Sequence, residues 1–69
     1  MYRYEIIVYW SNKDSAYIAE VPELPGCMAD GKTYVEAAHN IETVITEWIE
    51  TAELMGRDIP EPRGKLYYA

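Results

Sequence analysis

The sequence predicts an α+β fold: a three-stranded antiparallel sheet, one long helix packed on it and a short C-terminal strand, in the order β-β-β-α-β. Three observations predict it. Tyr2 to Trp10 is rich in aromatic and β-branched residues, which suit a pleated surface. The run Val21-Pro22-Glu23-Leu24-Pro25-Gly26-Cys27 separates two extended stretches; proline presets φ and glycine accepts positive φ, so the chain turns there. From Ala38 to Met55, apolar residues recur at three- and four-residue steps, the spacing of one helical face.

The first strand is expected over Tyr2 to Trp10. Tyr2, Tyr4, Ile6, Val8 and Trp10 fall on one side, and Arg3, Glu5, Ile7 and Tyr9 on the other, because side chains alternate along a strand. Ser11-Asn12-Lys13-Asp14-Ser15 is a polar turn suited to a hairpin. The second strand is expected over Ala16 to Val21, with Tyr17, Ala19 and Val21 on one face and Ile18 and Glu20 opposite. Pro22 ends its ladder, since proline has no N–H to give. Cys27 to Asp30 forms a short third strand, closed by Gly31.

Thr33 is a good N-cap, and Glu36 three residues later completes a capping box. Ala38, Ile41, Ile45, Trp48, Ala52 and Met55 make the apolar stripe, flanked by Val44 and Ile49, while Glu36, Asn40, Thr43, Glu47 and Glu50 lie away from it. Gly56 is the expected C-terminal cap. The helix should run from Tyr34 to Met55, with its stripe on the sheet face that carries Ile6 and Val8. Burying each large stripe residue contributes about 1.5–3 kcal/mol before chain ordering is counted. Ile59-Pro60-Glu61-Pro62 cannot continue a helix and should be extended. Lys65-Leu66-Tyr67-Tyr68 is the final strand, added to a sheet edge or lent to a neighbouring subunit.

The 69 residues allow a single domain, 1–69. In so small a chain, burial barely offsets chain entropy. The single Cys permits no intrachain disulfide, and no Cys/His cluster offers a structural metal. Oligomerisation is the remaining route to stability, so a homo-oligomer is expected, a dimer at least. Its expected interface is Ile7, Tyr9, Tyr17, Ile18, Leu66, Tyr67 and Tyr68, since Tyr is enriched at interfaces.

Twelve Asp and Glu face six Lys and Arg, for a net charge of −6. Such a surface repels phosphate, so direct nucleic-acid binding is disfavoured. It suits a basic protein partner, mainly through faster encounter. Met1 to Trp10 lacks a basic segment followed by a long apolar one. No apolar run approaches the roughly 18–20 residues of a membrane span. A cytoplasmic protein with no membrane partner is expected.

Cys27 and His39 invite a nucleophile–base reading, which needs hydrogen-bond reach, an orienting third group and a pocket. A Cys in a short strand behaves instead as a small hydrophobe. His39 near the start of a helix opposes the helix dipole when protonated. No catalytic residue and no cofactor are expected. The Pro22–Cys27 turn reads as a connector rather than a binding loop. Glu42, Glu47, Glu50 and Glu53 are the candidate contacts to a basic partner, against the plain alternative of a solvated helix face.

The order of elements and the Val-Pro-Glu-Leu-Pro-Gly-Cys run resemble the HicB-like antitoxin family. The resemblance covers about residues 2 to 62, nearly the whole chain. It is carried by a Tyr-rich first strand, Tyr17-Ile18-Ala19-Glu20, Pro22-Glu23-Leu24-Pro25-Gly26-Cys27, Gly31-Lys32-Thr33, Glu36-Ala37-Ala38, Trp48-Ile49 and Ile59-Pro60-Glu61-Pro62. It implies a partial ribonuclease H-like arrangement, dimers or tetramers, and a non-enzymatic role: neutralising a small basic HicA-type ribonuclease toxin by covering its RNA-binding face. The alternative is a stand-alone homo-oligomeric scaffold or regulatory module without a toxin. A C-terminal DNA-binding domain, carried by many members, is not expected here. A ribonuclease-type metal centre needs several converging carboxylates, but the first strand centres on Ile6, Ile7 and Val8, and Asp14, Glu20, Glu23 and Asp30 are spread over turns and edges.

Overall fold

The computed structural model describes residues 3–63. Strand β1 spans Ile7–Ser11, β2 Ala16–Glu20 and β3 Met28–Gly31, and helix α1 spans Tyr34–Leu54. The strands form an antiparallel meander in the order β1-β2-β3, so the α+β class, the sheet and the single long helix are those expected. The expected strand over Lys65 to Tyr68 lies outside the described residues.

Register sorts the sheet into two faces. Val8 opposes Ala19, and Trp10 opposes Tyr17; Ala19 opposes Ala29, and Tyr17 opposes Gly31. This is the helix-facing side. Tyr4, Ala19, Val21, Leu24, Cys27, Ala37, Ile41 and Ile45 form the core beneath α1, with Val8, Tyr17, Ala29, Val44, Trp48 and Ile49 packed around it. The opposite side carries Ile7 beside Glu20, Tyr9 beside Ile18, Ile18 beside Asp30 and Glu20 beside Met28. No described helix or strand packs on it.

Strand β1 begins at Ile7, five residues later than expected. The cause lies in its neighbour. The Val21 N–H donates to the Cys27 carbonyl (3.1 Å), and the Val21 carbonyl accepts from the Leu24 N–H (3.1 Å). Pro22 has no N–H. The β1–β2 pairing stops at Ile7 opposite Glu20, two residues short of the proline, and the alternation breaks: Tyr4 is buried, while Ile6, expected under the helix, is exposed. The Tyr4 hydroxyl donates to the Pro60 carbonyl instead. Strand β3 starts at Met28 rather than Cys27, because the Cys27 N–H is taken by the Leu24 carbonyl (3.0 Å).

At the helix start, the Thr33 Oγ1 accepts the Glu36 N–H (3.0 Å), and the Glu36 carboxylate accepts the Lys32 N–H (2.9 Å). This is the expected reciprocal cap, shifted by one residue on its return bond. Gly31 brings the helix very close: a Cβ there would lie 2.5 Å from the Ala37 nitrogen. At this closest approach Ala37 faces the core, and Ala38, the residue expected in the stripe, is only partly buried. The far end closes on Gly56, at φ +68. Its N–H donates to the Glu53 carbonyl (3.2 Å), and the Arg57 N–H donates to the Ala52 carbonyl (2.8 Å), a Schellman motif. Met55 is thereby the C-cap and exposed, not the last residue of the stripe.

Candidate partner-binding surfaces

The two-proline loop spends its groups on itself. Two successive turns, Val21 to Leu24 and Leu24 to Cys27, are closed by the Val21–Cys27 bond. Gly26 takes φ +80, which only glycine adopts freely. Leu24 is fully buried, and the Trp48 indole N–H donates to the Pro25 carbonyl (2.9 Å). The loop thus locks β2 and β3 to the middle of α1, as a connector does.

Cys27 is in the core, and burial pushes its thiol above the usual range, the wrong direction for a nucleophilic thiolate. His39 is exposed on α1. Nothing in this arrangement pairs the two side chains. Among the described residues, no group of three or more His, Cys, Asp or Glu is placed to hold a metal ion.

Glu42, Glu47, Glu50 and Glu53 are all exposed on the outward side of α1, and the helix contains no Lys or Arg. This charge pattern costs stability. Glu47, Glu50 and Glu53 succeed one another at three-residue spacing, which makes like charges neighbours. Glu50 and Glu53 also stand near the C-terminal end, where the helix dipole favours cations. The apolar side chains among them, Val35 and Leu54, are 79% and 89% exposed.

The uncovered sheet face has a different character. Ile7, Tyr9 and Ile18 of the expected interface share it. Tyr17 does not: it lies on the helix side, its ring 5.1 Å from that of Trp10 and 4.3 Å from that of Tyr34. Leu66, Tyr67 and Tyr68 lie outside the described residues. A groove of about 430 Å³ runs over this face, lined by Asp14, Ala16, Ile18, Met28 and Asp30 with the edge of Ala29. The Tyr9 hydroxyl donates to the Glu20 carboxylate (3.2 Å). Lost solvation, that bond and the negative charge of Glu20 and Asp14 together hold the Tyr9 hydroxyl above its ordinary range. Met28 and Asp30 were not expected to join Ile18 here; only the β2–β3 register, which the compact loop sets, places them opposite Glu20 and Ile18.

Comparison with known proteins places the chain in one family. A family model described as the HicB_like antitoxin of bacterial toxin-antitoxin systems matches residues 4–66. The chain is 38% identical over 63 residues to the UPF0150 protein Ta0767 of Thermoplasma acidophilum, covering 91% of this chain and 90% of that protein. It is 33% identical over 63 residues to the UPF0150 protein ssl0259 of Synechocystis, covering 91% and 85%. A second Synechocystis protein, UPF0150 protein ssr1258, is 42% identical over 43 residues, 62% of each chain. No solved structure matches significantly.

Proposed function

The chain belongs to the HicB-like antitoxin family, and from that premise we propose that it neutralises a basic HicA-type ribonuclease toxin by covering the toxin's RNA-binding face. Inhibition is steric and electrostatic, and this chain performs no covalent chemistry. The observation that carries the reading is the outward side of α1: exposed Glu42, Glu47, Glu50 and Glu53, with no Lys or Arg in the helix. A side that only needed solubility would gain by interspersing cations, which stabilise such a helix through i,i+4 pairs and its dipole. Keeping it uniformly acidic at a cost in stability is what a surface for a cationic partner requires, since complementary charge speeds encounter and selects the partner.

The test is co-expression with a small basic HicA-type toxin. Growth rescue and co-purification are expected, and Glu47→Lys/Glu50→Lys/Glu53→Lys should weaken both. Failure of the parent chain to rescue or co-purify rejects the pairing. One observation favours a second reading, a homo-oligomer without a toxin: the apolar sheet face of Ile7, Tyr9 and Ile18 that no described element covers. Salt separates the two: charge-steered association with the toxin slows as salt rises, whereas an apolar homo-oligomer barely responds.

A further inference from the structure

We infer that the groove on the uncovered sheet face seats a Lys or Arg side chain of a cationic protein partner, its stem lying over Ile18 and Met28 and its charge between Asp14 and Asp30. The inference rests on the antitoxin reading and names the anchoring surface for its partner.

The groove has the anatomy of an interface centre. Ala16, Ile18, Met28 and Ala29 line it together with the exposed Asp14 and Asp30. Ile18 is only 8% exposed although no described helix or strand covers it, whereas Met28 is 49% exposed. Stable interfaces place an apolar centre inside a polar rim. Long cationic side chains match that pattern, burying an apolar stem while the head stays polar. On the outward side of α1, the hollow beside Glu50 and Glu53 is bordered, among the described residues, by Leu54. The helix acids steer the partner through long-range charge, and the sheet groove, where apolar and acidic residues meet, holds it.

Charge also chooses between a foreign cation and a second copy. A two-fold interface sets the same patch against itself. Here that would set a patch carrying Asp14, Glu20 and Asp30 against a second patch of the same sign, and among the described residues no Lys or Arg lines the groove. Lys13 and Lys32 sit in the flanking turns, both exposed. The Tyr9 hydroxyl is held above its ordinary range first by lost solvation and then by its bond to Glu20 and the negative field of Glu20 and Asp14. A cationic occupant relieves that field, and an acidic copy adds to it.

The experiment measures binding of a HicA-type toxin, in catalytically inactive form, to four versions of the full chain. The parent should bind. Met28→Lys/Asp30→Lys should raise Kd by about 100-fold or more, and Asp30→Asn by about tenfold, chiefly through faster dissociation. Glu50→Lys/Glu53→Lys should slow association and leave dissociation nearly unchanged. Both groove positions are exposed, so far-UV circular dichroism and melting should match the parent; if the double variant misfolds, Asp30→Asn carries the test. Parent-like affinity in both groove variants overturns this inference and leaves the antitoxin reading standing. A parent dimer that Met28→Lys/Asp30→Lys dissociates also overturns it, by assigning the face to a second copy. No binding by the parent rejects both readings.

Discussion

Gly31 shows how much one missing methyl group decides. Its buried position is needed for space, not for a special φ: an added Cβ would meet the Ala37 nitrogen at 2.5 Å and the Glu36 carbonyl carbon at 2.9 Å. Both are backbone atoms, so no side chain can swing away. Gly31→Ala should lower stability by about 1–3 kcal/mol, read from the urea midpoint; an unchanged midpoint would show that α1 shifts freely over β3. Ser15 presents the reverse case. It holds φ +50 in the hairpin turn, a conformation that asparagine tolerates better. Ser15→Asn should therefore gain roughly 0.5–1 kcal/mol. Cys27 offers a third measurement, because a buried thiol with a raised pKa reacts only when the core opens. Alkylation by iodoacetamide should be far slower in the native chain than in urea, and equal rates would contradict its burial.

The elements were mostly legible in the sequence, and the misses share a cause. The helix start was legible because Thr33 and Glu36 act through bonds a few residues apart. So was the stripe of Ile41, Ile45 and Ala52. What failed was anything set at longer range. Alternation alone put Ile6 under the helix, but strand pairing ends at Ile7 opposite Glu20, just before Pro22, and Ile6 is exposed. Periodicity alone chose Ala38 over Ala37, but the close approach at Gly31 set the helix rotation. The C-terminal half of α1 carries a prediction of its own. With Glu50 and Glu53 near the negative end of the dipole and no basic residue in the last turn, Glu50→Lys/Glu53→Lys should stabilise the isolated chain by roughly 0.5–1 kcal/mol. A urea titration checks it. The same change should slow partner association, so a gain in stability bought with lost binding speed is the signature of a functional surface. A gain in stability with unchanged association would reduce those acids to solvated bystanders.

At the scale of the whole molecule, the candidate site was half legible. Composition and the uniform helix acids pointed to a cationic partner from the sequence alone, because charge needs no register to be counted. The groove was not legible, since Ile18, Met28 and Asp30 meet only after the β2–β3 loop fixes which residues face each other. Under the proposed reading, the two surfaces divide a net charge of −6 into roles that salt can separate. Steering acts over the distance that ions screen, and the Debye length falls from about 30 Å at 0.01 M to about 8 Å at 0.15 M ionic strength. Contacts inside a desolvated groove are screened much less. Association of the chain with its basic partner should therefore slow by roughly tenfold over that range, while dissociation changes little. In Glu47→Lys/Glu50→Lys/Glu53→Lys the salt dependence of association should largely vanish, while in Asp30→Asn it should persist and dissociation should quicken. Stopped-flow kinetics at four salt concentrations measures all three chains. If salt instead accelerates dissociation and leaves association untouched, the acids hold the partner rather than guide it, and the assignment of steering to α1 and anchoring to the sheet is reversed.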